Sequence, residues 1–203
     1  MNADGQATGR MGHEVCPWWV AYLIDNPLRR LIHKPEAIFR NYVKPGDTVL
    51  DLGCGIGFAA LPLAKIVGDQ GRVIAVDLQQ KMLAILQRRA VKAGLGSRIQ
   101  THRCEPGSIG IATPVDFAVA FWMVHEVPDS REFLAQVRCC LKPDARFLVT
   151  EPIPHVRERA FRETLDAAQA VGLVLREQPR IRGCRTALFS RSPAEFSGSQ
   201  AGS

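Results

Sequence analysis

Thr48-Val-Leu-Asp-Leu-Gly-Cys-Gly-Ile-Gly57 is a short apolar run that ends in an acid and passes into a loop with glycine at every second position. Apolar residues in so short a run, bounded by turn residues, read as a buried strand. Gly53, Gly55 and Gly57 permit positive φ and let the backbone touch a ligand directly, ahead of a helix expected to start near Phe58. Asp51 stands immediately before the loop, where its carboxylate would repel a pyrophosphate but suit a ligand carrying an ammonium group. Gly55-x-Gly57-x-x-Ala60, with Asp77 downstream, also satisfies the looser dinucleotide fingerprint. A nicotinamide-linked oxidoreductase is therefore a competing reading, with Asp51 against it.

Outward from this loop, strands alternate with helices, the pattern of a parallel sheet covered by helices. Strands are expected at Thr48 to Asp51, Arg72 to Asp77, Ile99 to Arg103, Val115 to Phe121 and Arg146 to Thr150. Between them, Gln79 to Ala93 sets Met82, Leu86, Ala90 and Ala93 on one helical stripe and stops at Gly94. Asp129 to Leu141 opens on a capping Asp or Ser and puts Phe133, Val137, Cys140 and Leu141 at helical spacing. Phe161, Leu165 and Ala168 mark another helix, after which Leu173 to Gln178 and Arg185 to Ser190 read as a terminal hairpin that makes the last strand antiparallel. Ahead of the sheet, Cys16 to Leu31 and Pro35 to Tyr42 read as helices. The expected organisation is a helical segment at 1–44, one α/β domain at 45–191 and a flexible Ser/Gly/Ala-rich tail at 192–203.

The chain has 203 residues, 46% hydrophobic and 23% charged, the composition of one soluble globular domain. Its longest apolar stretch, Val15 to Ile24, contains Pro17 and falls well short of the roughly 20 residues that span a bilayer. With no secretory signal pattern either, a cytoplasmic location is expected. The net charge of +6 raises nucleic acid as a partner. Yet the excess lies in one stretch, where Arg157, Arg159, Arg162, Arg176, Arg180, Arg182, Arg185 and Arg191 stand among Glu158, Glu163, Asp166 and Glu177, and a solvated basic face is the favoured reading over nucleic acid. Six cysteines are too few for a disulfide scaffold, and no Cys-x-x-Cys pair offers a zinc signature, so no metal is expected. Cys139 and Cys140 read as helix core.

Val49-Leu-Asp-Leu-Gly-Cys-Gly-Ile-Gly57 resembles the first motif of the class I S-adenosylmethionine-dependent methyltransferases, and the likeness extends through residues 45 to 190. The resemblance implies a Rossmann-like, seven-stranded, mostly parallel sheet with an antiparallel last strand, helices on both faces and an N-terminal helical extension. It implies S-adenosylmethionine as cofactor. Asp51 and the Gly53 and Gly55 backbone would then hold the methionine ammonium and carboxylate, with Cys54 and Gly57 in the same cofactor-binding loop, and Asp77 would accept both ribose hydroxyls, with Leu78 and Met82 also on the cofactor. Glu105, six residues on from Ile99, would meet the adenine amino group, although the family more often has Asp-Ala where this chain has Glu105-Pro106. Phe121 and Trp122 would line the methionine portion.

After the fourth strand the chain reads Phe121-Trp-Met-Val-His125-Glu126, without the Asn/Asp-Pro-Pro-aromatic tetrad that marks family members acting on planar amines, and without the Pro-Cys pair of cytosine C5 chemistry. A small-molecule acceptor is expected, with an RNA or protein acceptor recruited by the arginine-rich stretch as the alternative. A non-catalytic cofactor-binding protein is a further one. His125 and Glu126, at the carboxyl end of a strand, are the candidate acid–base residues, the alternative for His125 being a role in shaping the pocket. Glu151 and His155 belong to the same rim, unless they serve a capped helix start before Val156. Cys16, Trp18 and Trp19 are candidate walls of the acceptor pocket, or packing against the sheet. Cys16, Cys104 and Cys184 could also be joined as soft ligands for a thiophilic acceptor such as arsenite.

Overall fold

Strand β1 (Thr48–Leu52) lies inside a seven-stranded sheet, and every residue from Val49 to Leu52 is buried, as a parallel strand covered on both faces requires. The computed structural model describes residues 33–191. Along the chain follow α1 (Pro35–Phe39), β1, α2 (Ala60–Val67), β2 (Arg72–Asp77), α3 (Gln80–Lys92), β3 (Ile99–Arg103) and β4 (Val115–Phe121). The second half adds α4 (Ser130–Cys140), β5 (Leu141–Pro152), α5 (Glu158–Ala170), β6 (Leu173–Glu177) and β7 (Cys184–Arg191).

The sheet order is β3-β2-β1-β4-β5-β7-β6. β3 through β5 pair in parallel, and β7 enters antiparallel between β5 and β6. Alternate residues of β1 serve opposite faces: Val49 packs with Phe39, Leu63 and Leu86 of the α1–α3 side, whereas Leu50 and Leu52 pack with Leu134, Val137 and Phe161 of the α4–α5 side. The chain leaves β1 toward β2 on one side and returns to β4 on the other, so a crevice opens between the carboxyl ends of β1 and β4. No helix among the described residues is long and apolar enough to cross a membrane.

Three boundaries and the burial of one cysteine depart from the sequence expectation, each for a local reason. α1 stops at Phe39 rather than Tyr42, because Pro45 disfavours helical backbone at Lys44 and the chain turns out through Arg40 to Tyr42. The glycine loop continues as turn through Ala59, so α2 begins at Ala60 instead of near Phe58. β5 begins at Leu141 rather than Arg146: Leu141 pairs with Val115, and the register shifts before Phe117 meets Arg146, so Pro143 and Asp144 are set out into solvent. Cys139 is exposed rather than core, since it lies off the buried stripe of Phe133, Val137 and Cys140 on α4. Asp129 caps that helix, its Oδ1 accepting the backbone N–H of Glu132 at 2.9 Å.

Candidate active site

The glycine loop is framed by the two carboxylates that end β1 and β2. Asp51 is 1% exposed, and its Oδ2 is buried without a hydrogen-bond partner among the described residues. Burial, reinforced by the charge of Asp77 and opposed by a backbone hydrogen bond at Ala60, raises its pKa to about 8. Asp77 is buried too, and its Oδ2 accepts from the Gly55 backbone N–H at 2.9 Å while Oδ1 accepts from that of Gln79 at 2.8 Å. Burial lifts the Asp77 pKa against the pull of those two bonds. One carboxylate thus ties the loop to the start of α3, and each of its oxygens keeps acceptor capacity for a ligand.

Further bonds hold the loop. The Cys54 N–H donates to Val76 O at 3.0 Å, and Arg89 Nη1 of α3 donates to Ile56 O at 2.7 Å. Gly53, Gly55 and Gly57 all have positive φ, of 65°, 53° and 96°. A Cβ added at Gly55 would meet no heavy atom within 4 Å, so this turn presents its backbone to open space. Leu78 is half-buried, and Met82 packs with Ile56 and Ile85 in a small apolar cluster beneath the loop. Cys104 N donates to Asp77 O at 3.1 Å, and Glu105, exposed, follows it in a turn closed on Ser108.

The end of β4 forms the other wall. Phe121 is buried against Phe58, ring centroids 4.8 Å apart, with Trp122 6.0 Å from Phe121 and the His33 ring 5.6 Å from Trp122. Trp122 has φ 66°, the left-handed region that a bulky residue rarely enters, and is held there by its N–H to Thr150 O at 2.8 Å and its Nε1 to Cys184 Sγ at 3.2 Å. Strain of this kind concentrates where the chain must present a ligand surface. Met123 then lies directly on Gly53, where a Cβ would come within 2.8 Å of its side chain.

Val124–Glu126 forms a 3-10 turn, and the buried Glu151 at the end of β5 receives both donors of His125: its backbone N–H at Oε1, 3.1 Å, and its Nδ1 at Oε2, 2.6 Å. The His155 ring lies edge-on to His125 at 4.8 Å. Burial pulls the His125 pKa down, but the hydrogen bond and charge of Glu151, helped by the charge of Glu126, outweigh it and hold the imidazole above its usual range. His125, Glu151 and His155 are therefore brought together, with Glu126 half-exposed in the same turn. α5 begins only at Glu158 and has no side-chain cap, so neither Glu151 nor His155 caps it.

The pairing of His125 with Glu151 has no local sequence signal, because it depends on β4 and β5 lying side by side with Phe121 opposite Thr150. Phe58 and Cys184 also enter the wall unannounced. Cys16, Trp18 and Trp19 lie outside the described residues. Cys104 and Cys184 leave β3 and start β7 with four strands between them, a lateral separation of roughly 24 Å at ~4.8 Å per strand, so they cannot share one thiophilic ligand.

Residues 49–144 match the sequence model of a family described as a methyltransferase domain. An uncharacterized 37.1 kDa protein in transposon TN4556 of Streptomyces fradiae is 39% identical over 152 residues, covering 71% of this chain and 42% of that protein. A 2-phytyl-1,4-naphtoquinone methyltransferase of Synechococcus elongatus is 35% identical over 121 residues, covering 58% of this chain and 51% of its own. The chain spans about half the length of the curated relatives it matches. Among solved structures, the crystal structure of a SAM dependent methyltransferase from Aquifex aeolicus superposes with a TM-score of 0.76 at 24% identity, over 86% of this chain and 98% of that one.

Proposed function

We propose that this chain, a member of the class I S-adenosylmethionine-dependent methyltransferases, transfers a methyl group from S-adenosylmethionine to a small-molecule acceptor and leaves S-adenosylhomocysteine. The observation that carries the reading is the pair of buried carboxylates around a backbone loop. Asp51 has a buried oxygen with no hydrogen-bond partner among the described residues, which an ammonium group would satisfy. A pyrophosphate would offer Asp51 no cationic partner and would meet the buried Asp77 carboxylate in a low-dielectric site, where like charges repel strongly.

In this reading Asp51 holds the ammonium, the backbone of Gly53 and Gly55 the carboxylate, and Asp77 the ribose hydroxyls. Leu78, Met82 and Glu105 surround the adenine. Cys54 and Gly57 shape the loop, while Phe121 and Trp122 flank the methionine portion. Bound there, the sulfonium supplies an electrophilic methyl whose in-line displacement depends on positioning and exclusion of water. The rigid loop, fixed by Asp77 and Arg89, supplies the positioning, and Phe58, Phe121 and Trp122 form the apolar wall. Residues 45–191 are the donor-binding domain, and residues 1–44, with Cys16, Trp18 and Trp19, contribute the acceptor cover.

A small planar acceptor is supported by the aromatic wall and by the naphtoquinone methyltransferase relative. The arginine-rich stretch lends RNA less support than its charge suggests. Arg159 and Arg162 pair with Glu163 and Glu158, Arg176 bonds Ser190, and Arg185 and Arg191 are spent on the carbonyls of Val156 and Leu141. Incubation with radiolabelled methyl donor and a panel of hydroquinones, phenols, thiols, amines and bulk RNA tests the assignment. Label is expected in a small molecule. Label confined to RNA, with affinity falling steeply as salt rises, would establish the nucleic-acid alternative instead.

A further inference from the structure

We propose that His125 and Glu151 form a general-base dyad, and that the acceptor accordingly reacts through a hydroxyl or thiol that must lose its proton. This rests on the methyltransferase reading and narrows its substrate class.

Glu151 is 1% exposed, and both its oxygens are engaged by one residue, the backbone N–H and Nδ1 of His125. Burying a carboxylate is costly, and a merely structural hydrogen bond to a backbone N–H needs no charge. With Nδ1–H donating to Glu151, the neutral imidazole keeps its lone pair on Nε2, the tautomer a base requires. The His125 side chain is 19% exposed, so the ring is not sealed off from solvent. The contact of Met123 with Gly53 seats this turn on the donor loop, two residues before the histidine. Trp122 and His125 are anchored on consecutive positions, through Thr150 O and the Glu151 carboxylate, which puts the aromatic wall and the base at one strand end.

In the step proposed, His125 Nε2 takes the proton of the acceptor hydroxyl as an oxygen electron pair forms the bond to the methyl carbon. The carbon–sulfur electron pair returns to sulfur, and the imidazolium passes its proton to water. Glu151 is a positioning residue that selects the tautomer and stabilises the imidazolium. Among the described residues, the groups facing His125 are Glu151 from β5, Glu126 from its own turn and His155 from the β5–α5 loop. Arg185, opposite Glu151 on β7, directs its Nε to Val156 O.

Because the base must be neutral, the rate rises with pH through the His125 pKa and levels off above it, with a midpoint above the usual imidazole range. Glu151→Gln should move that midpoint toward acid, seen both in the rate profile and in the His125 ring signals by NMR, and slow transfer about tenfold or more. His125→Ala should slow it about a hundredfold or more. Both variants should retain wild-type affinity for S-adenosylhomocysteine. An unchanged midpoint and rate in Glu151→Gln overturns the dyad, as does a wild-type profile without this limb should the variant fail to fold. Transfer to none of the hydroxyl or thiol acceptors, by a protein that binds S-adenosylhomocysteine, also overturns it. Failure of the wild type to bind S-adenosylhomocysteine overturns the methyltransferase reading instead.

Discussion

Replacing Asp77 with alanine is expected to weaken binding of S-adenosylhomocysteine by about 3 kcal/mol, or about 150-fold, in a calorimetric titration. Two ribose hydroxyls on one carboxylate are each a hydrogen bond to a charged group, worth roughly 1.5 to 3 kcal/mol when the partner is lost. The same substitution strips acceptors from the Gly55 and Gln79 backbone N–H groups, so the loop loses the tie that orders it before ligand arrives. Asp77→Asn keeps one carbonyl oxygen in the fork and should fall between the two. Undiminished affinity in Asp77→Ala would mean that the ribose does not sit at the end of β2.

Gly57→Ala is expected to lower stability by about 3 kcal/mol, which for a domain of this size corresponds to a fall in Tm of roughly 6 to 12 °C by calorimetry. Two costs combine. The residue has φ 96°, and a Cβ there would lie 2.5 Å from Cδ1 of Leu86, itself fully buried, and 3.2 Å from Cγ of Leu61. Backbone strain of ~1 kcal/mol or more adds to the ~1 to 3 kcal/mol of overpacking a core that has no room to shift. Gly55→Ala makes the contrast: at φ 53° with no heavy atom within 4 Å of its Cβ, it bears the strain alone and should melt only slightly lower. Its methyl group would stand on the open side of the loop, so its loss should appear in donor affinity. Equal melting temperatures for the two variants would remove the packing role assigned to Gly57.

The sheet was legible because β1, β2 and β4 are short, mostly apolar runs bounded by turn residues or helices. Asp51 and Asp77 were legible as carboxylates at strand ends, but the partnerless Oδ2 of Asp51 and the double use of Asp77 by the loop depend on the loop's fold. At β5, Lys142-Pro143-Asp144 reads as a turn, and only the pairing of Leu141 with Val115 shows that the strand runs past it with a bulge. Cys139 and Cys140 look alike in sequence, and about 100° of helical rotation separates an exposed thiol from a buried one. His125 and Glu151 were each visible as rim residues. Their contact spans 26 positions and follows from strand register, which no local pattern encodes.

In the proposed function, the loop between Asp51 and Asp77 binds the methionine-bearing nucleoside and not a dinucleotide. Titration calorimetry of the wild-type protein with S-adenosylhomocysteine and, separately, with NAD tests it directly. Saturable binding of S-adenosylhomocysteine alone is expected. Near pH 7 it should release close to one proton, because Asp51, with a pKa raised to about 8, must ionise to meet the ammonium group. Binding of NAD without S-adenosylhomocysteine would make the loop a dinucleotide site instead.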